Sequence, residues 1–396
     1  VRKAVLIGTV LAAAVAGGCG GDDEPADPTT RAPLARGSSL APSAAGAPAA
    51  DRRSFKRRTT ALMASLVAQL AKRSSASDEK YYDKGIWHSG FDCWRCDLAP
   101  GVIAAILARS RPGEGRYRKL AIGTFDRVLD DHQQPDGSFG PPPSSETGNN
   151  HITTMVVANY LGVAYLELRS KLGERRRERW RTALERAARW LEPKASFYVN
   201  GNINLGVTNA MYLAYRATGR NELRRAFDRS WAFTLDPQGE RWKGFGLRYL
   251  KRPKRADGSD GAGYLAEQGA GEPGFDPHYT TVQAGYAAML FALSRKERPL
   301  RLLNLLTNAI LTRTKRRTLV MQTGEGSRHP AASERYLEVP AIPVAALTGG
   351  RTDLLTLVEP QLQHVRLSFP SYVASDSDQS GTLADYATAL IALDPP

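Results

Sequence analysis

The sequence predicts an all-α chain arranged as an α/α toroid, an incomplete barrel of about five to six inner and outer helix pairs. Two kinds of helical periodicity alternate along the chain, and strand-type alternation is missing over any long region. Clusters of polar residues stand immediately before the most apolar helices.

The first residues are set aside before any fold reasoning. Arg2 and Lys3 precede the apolar stretch from Ala4 to Val15, and the small residues Ala16-Gly17-Gly18 lead to Cys19. This segment resembles a bacterial lipoprotein signal peptide, departing from its usual pattern at Ala16. The resemblance implies export, lipidation of Cys19 and a membrane anchor on the extracytoplasmic side; a plain secretory signal with an incidental cysteine is the alternative. From Gly20 to about Ala50 the chain is Ala, Pro, Gly, Ser and Asp, a composition that buries too little apolar surface to offset its ordering entropy. The organisation read from sequence is a signal at residues 1–18, a disordered tether ending in a basic run at residues 19–58, and one toroid domain at residues 59–396.

Beyond Cys19 the cysteines are Cys93 and Cys96, in Phe91-Asp92-Cys93-Trp94-Arg95-Cys96. In an exported protein such a pair reads as a short disulfide. A redox motif needs a βαβ context that is not found, and a zinc site needs two further ligands at matching spacing. The formal charge of +14 outlasts removal of the first 58 residues and suits a polyanionic partner such as an acidic polysaccharide. Nucleic acid is not expected, because the aromatic interleaving of a single-strand binder is missing. Runs such as Arg175-Arg176-Arg177 also read as solvated helix faces.

The amphipathic helices show in Trp180, Leu184, Ala187 and Leu191, and again in Leu223, Phe227 and Trp231. Arg116 to Asp131, Leu300 to Thr312 and Thr352 to Val365 join them as outer helices. Met155 to Leu168, Leu205 to Ala217 and Val282 to Leu293 are apolar nearly all round and belong inside, with Leu98 to Arg109, Pro340 to Leu347 and Thr382 to Leu393 as further inner members. Gly219 and Arg295-Lys296 are stop signals. Gln133-Gln134-Pro135-Asp136-Gly137-Ser138-Phe139-Gly140 resembles a turn found in toroids of the terpene-cyclase and prenyltransferase type. The aspartate-rich catalytic motifs of those enzymes are absent, so the turn speaks for the fold and against that chemistry.

Asn149, Asn150 and His151 precede the first apolar helix, Asn200, Asn202 and Asn204 the second, and Asp276, His278 and Tyr279 the third. Each cluster alone is compatible with helix capping. With the inner helices parallel, all three meet at one mouth and form a cleft. The Gly-rich stretch from Asp257 to Pro277 is long enough to be a lid or a binding loop. Gln322 to His329 reads as an exposed turn, with Arg328-His329 reaching the same mouth as the alternative, and Asp376 and Asp378 read as part of a capping loop without the downstream glutamate of an EF-hand.

Asn149-Asn150-His151, Asp257-Gly258, Glu267 and Tyr279 together resemble the motifs of the alginate-lyase-like α/α-toroid polysaccharide lyases, over roughly residues 85 to 300. The resemblance implies β-elimination of a uronate-containing polymer without cofactor or metal. Asn149 and Asn150 would bind the uronate carboxylate, His151 would take the proton, and Tyr279 would protonate the leaving oxygen, or act as both base and acid if the two groups leave from the same face. Asn202, Asn204, His278 and Glu267 would hold neighbouring sugars, and Trp87 or Trp94 would stack on a ring. The arginine that such lyases place near the tyrosine is missing between Arg255 and Tyr279, leaving Arg95, Arg248 or Arg328 to supply it from elsewhere. Two alternatives stay open: a toroid glycoside hydrolase using two of Glu146, Glu267 and Asp276, and a non-catalytic glycan-binding lipoprotein.

Overall fold

The computed structural model describes residues 47–76, 94–111, 113–140, 150–194, 200–269, 271–374 and 379–396. These residues are mostly helical, with two small antiparallel sheets. The helices in chain order are α1 (Ala49–Ala76), α2 (Trp94–Ser110), α3 (Gly115–Asp131), α4 (Asn150–Leu168), α5 (Glu174–Leu191), α6 (Gly201–Thr218), α7 (Asn221–Leu235), α8 (Pro277–Ser294), α9 (Glu297–Leu311), α10 (Ala341–Thr348), α11 (Leu355–Ala374) and α12 (Gln379–Leu393).

Helix α1 corrects the tether boundary, since residues 49–58 are helical. Phe55, Thr59, Met63 and Leu66 are buried at helical spacing. The basic run Arg52-Arg53-Lys56-Arg57-Arg58 therefore occupies the outer positions of an amphipathic helix. Lys56 pairs with Asp394 at 2.9 Å and Arg58 with Glu359 at 2.6 Å. Composition hid a buried stripe whose members are three or four residues apart.

Helix α2 packs on α4, α4 on α6, α6 on α8, α8 on α12, and α12 back on α2, which closes a circuit. Their side chains pair early with early and late with late, so the five run parallel. Asn159 donates to the carbonyl of Gly206, and Asn209 donates to the side-chain oxygen of Asn159. Near the other end Arg216 reaches the carbonyl of Leu293, Arg295 that of Ala392, and Arg109 that of Asp394. Close approach is permitted by glycine: a Cβ on Gly162 would lie 2.7 Å from Cβ of Leu213. The amphipathic helices pack outside as their periodicity predicts, with Trp180, Leu184, Ala187 and Leu191 of α5 buried and Trp180 edge-on to Phe125 of α3. Gly219 and Arg295 end α6 and α8 in the left-handed region, at φ 72° and 55°.

The turn from Gln133 to Gly140 brings α3 back to α4 against α5. Phe139 is fully buried, and its amide donates to the hydroxyl of Thr154. Gly137 sits at φ 96° where a Cβ would strike the backbone of Arg186. Short strands, unforeseen from the sequence, fill the connections into α8 and α10. Strand β1 (Leu247–Lys251) pairs with β2 (Ala262–Leu265), while β3 (Thr314–Lys315), β4 (Val320–Gln322) and β5 (Glu334–Tyr336) form a second sheet in that order.

At the C-terminal ends of the circuit, Glu167 is buried against Arg109. Burial pushes its carboxyl up to about 7 against the opposing pull of that guanidinium. A carboxyl with a raised folded pKa contributes stability present below its unfolded value and lost as pH rises through the folded one. Arg109→Ala should therefore destabilise the fold by about 3 kcal/mol at pH 8 and by clearly less at pH 5, measured by urea unfolding at the two pH values; an equal loss at both would contradict this account.

Candidate active site

Parallel helices place the entrances of α4, α6 and α8 at one end of the circuit. The segment after β2 ties two of these entrances together. The amide of Gly201 donates to the carbonyl of Ala266, and Glu267 bridges to Asn200 on one side and Gly274 on the other. The stretch read from sequence as a lid or a binding loop is pinned at its start. Asn304 holds the carbonyl of Asp257, Asn308 holds those of Ser259 and Gly261, and the chain continues directly into β2.

Glu267 is fully buried. One carboxyl oxygen accepts from the Asn202 amide at 2.7 Å and from the Gln283 side chain at 2.8 Å; the other faces Arg328 at 3.4 Å. Burial is the largest influence on it and pushes its pKa up to about 7, although each of these donors pulls the other way. The side-chain oxygen of Asn202 has no hydrogen-bond partner among the described residues.

Asp276 is also fully buried and serves as the N-cap of α8, accepting from the Tyr279 amide at 2.9 Å. The same carboxylate accepts from the amides of Arg328 and His329, each at 3.0 Å, and from the His329 ring nitrogen Nδ1 at 3.0 Å. Arg328 and His329 belong to the loop expected to be an exposed turn. That expectation is overturned: the loop is docked, with Ser327 bonded to the carbonyl of Phe275. Glycine makes the docking possible, since a Cβ on Gly326 would lie 2.7 Å from the Asp276 carboxylate and one on Gly269 only 1.6 Å from the Ser327 carbonyl.

The docked loop covers Tyr279. The Arg328 guanidinium carbon lies 3.9 Å from the centre of the tyrosine ring. The His329 ring centre is 5.2 Å from that of Tyr279 and 4.8 Å from that of His278. Arg335 of β5 donates to the imidazole of His278. Of the three arginines named from the sequence, Arg328 is the one that stands beside Tyr279. Proximity in space carries no clear signature in sequence when two remote segments are joined largely by backbone amides on a shared aspartate.

His151 occupies the first turn of α4, buried, with its ring centre 6.2 Å from that of Trp190 in α5. The Trp190 indole donates to Asp136 of the turn motif. Among the described residues, Trp190 of the outer layer is a ring neighbour of His151, and His278 and His329 are ring neighbours of Tyr279. Asn204 stands in the first turn of α6. Asn150 opens α4 and Trp94 opens α2, but their side chains, with that of Cys96, lie outside the described residues, as do Cys19, Trp87, Cys93, Glu146, Asn149, Asp376 and Asp378.

One neighbouring group went unnoticed in the sequence. Glu338, just before α10, lies 2.7 Å from Nε2 of His364 in α11, and Tyr336 stacks on that imidazole at an interplanar angle of 9°. Burial pushes Glu338 up to about 8 and pulls His364 down, which favours a protonated carboxyl donating a hydrogen bond to Nε2 over an ion pair. The only available signal was the alternation in Glu334-Arg335-Tyr336-Leu337-Glu338. Among the described residues no three His, Cys, Asp or Glu side chains gather as a metal-holding group.

No protein-family model matches this chain, and no curated protein does.

Two outcomes follow from these contacts. Asp276→Ala removes a cap and strands buried amides, and should cost about 3 kcal/mol, read as a lowered urea midpoint. Glu338 has a folded pKa above its unfolded one, so its contribution is complete below about pH 4.5 and is lost as pH rises through about 8. The thermal midpoint should accordingly fall between pH 5 and pH 8, and Glu338→Gln should flatten that fall; an unchanged slope in the variant would show that Glu338 is not its source.

Proposed function

We propose that this chain is an α/α-toroid polysaccharide lyase that cleaves a uronate-containing polymer by β-elimination. The closed circuit of parallel helices supports the toroid, and the observation that carries the chemistry is Arg328 lying over Tyr279. A proton beside a uronate carboxylate is too weakly acidic for a side chain until that carboxylate is neutralised, and a fixed guanidinium supplies the neutralisation without reorganising. Tyr279, at the same point, is the group that protonates the leaving glycosidic oxygen. The imidazole of His278 suits a hydroxyl of an adjoining sugar. Export and lipid anchoring through Cys19 belong to the same reading, as does an acidic polysaccharide partner matched to the basic chain.

The hydrolase alternative fares less well on geometry. It needs two carboxyls facing each other across water. Asp276 is occupied by four N–H donors and Glu267 by its own buried partners.

The purified protein, offered alginate, hyaluronan, chondroitin, heparan and pectate, should release unsaturated uronate from at least one, seen as ultraviolet absorbance. On that polymer Arg328→Ala should lower kcat/KM by about a hundredfold or more. Silence on every polymer from a folded protein would remove the lyase reading, and reducing ends without unsaturation would favour hydrolysis.

A further inference from the structure

We infer that His329, held by Asp276, is the base that removes the proton in this reaction, in place of His151. The inference rests on the lyase reading of the same site. A carboxylate whose other partners are all N–H donors can only accept, so the proton of the His329 ring sits on Nδ1, facing Asp276 at 3.0 Å. Nε2 is then left with a lone pair and makes no hydrogen bond among the described residues. An imidazole fixed in this tautomer by a buried carboxylate has the arrangement of a general base, oriented and ready to carry a positive charge. The His329 side chain is 38% exposed, so the lone pair is accessible to a polymer, while His151 is 5% exposed and faces an outer-layer tryptophan.

The groups around His329 complete the reaction. Arg328 precedes it on the loop and Tyr279 and His278 face it from α8. Behind His278 stands Arg335. With the uronate carboxylate on Arg328, Nε2 takes the proton from the carbon beside that carboxylate, and the electron pair stays on the carbon as the enolate. This pair becomes the new C=C bond as the bond from the adjacent carbon to the glycosidic oxygen breaks. The Tyr279 phenol gives its proton to the departing oxygen. Proton return from the His329 imidazolium to the tyrosinate restores both groups, so the net change is one proton moved from carbon to oxygen, and no external reagent is consumed.

His329→Asn is the informative variant, because its amide can still donate to Asp276 and hold the loop while offering no base. On a polymer that the wild-type protein cleaves, it should lower kcat by about a thousandfold with KM changed only a few-fold, and abolish exchange of solvent deuterium into the carbon-bound position of recovered substrate. Free imidazole should partly restore His329→Ala and leave His151→Ala unrestored. Asp276→Asn, acting through His329, should shift the acid limb of the pH profile. A folded His329→Asn with normal kcat, or imidazole rescue of His151→Ala instead, overturns the assignment of the base while leaving the lyase reading intact. Silence of the wild-type protein on all polymers removes both.

Discussion

The Asp276 carboxylate is the contact on which the arrangement around Tyr279 depends. Buried and charged groups persist in a protein interior only when their lone pairs are met by donors, and this one meets four. One donor begins α8 and three come from the loop carrying Arg328 and His329. A single side chain thus sets where an inner helix starts and where a remote loop lands. Tyr279 is carried by the helix, and Arg328 and His329 by the loop. Their mutual distances are consequences of one cap.

The rest of the scaffold explains why the cap lies at a helix entrance shared with others. Five parallel helices in a closed circuit must present all their N-termini on one side, where backbone N–H groups point outward and favour negative charge. The opposite side collects carbonyls, and there Arg109, Arg216 and Arg295 are spent on them. Part of the basic surplus is therefore structural, since it answers helix C-termini. Another part lies outward on α1, where Arg58 pairs with Glu359. At the entrance side, Arg328 and Arg335 each contact a ring of the candidate site.

The helices were legible because burial imposes a period on the residues themselves. Trp180, Leu184, Ala187 and Leu191 lie on one face whatever surrounds them, and Gly219 ends α6 because a left-handed residue is needed there. Helix α1 was obscured by arginines that outnumber its apolar stripe. The strands were too short to show alternation; β3 spans two residues. At the entrances, Tyr279, His278, Glu267 and Asn202 were picked out by their residue types before an apolar helix. Arg328 was one of three arginines that the sequence could not rank. His329 was visible only as the weaker alternative to an exposed turn, and Glu338 was not separable from ordinary surface positions.

The sequence by itself determined most of the helices, the amphipathic or apolar character of each, and that polar residues cluster where apolar helices begin. Periodicity, capping and composition are local, and local chemistry is written in consecutive residues. The tertiary structure decided which polar residues meet. It set Arg328 and His329 on Tyr279, and it stood His151 against Trp190. These outcomes depend on backbone amides of one loop finding the carboxylate of another, with glycines at 269 and 326 making room. Contacts made by main-chain N–H groups leave no mark on side-chain identity, and so could be found only in three dimensions.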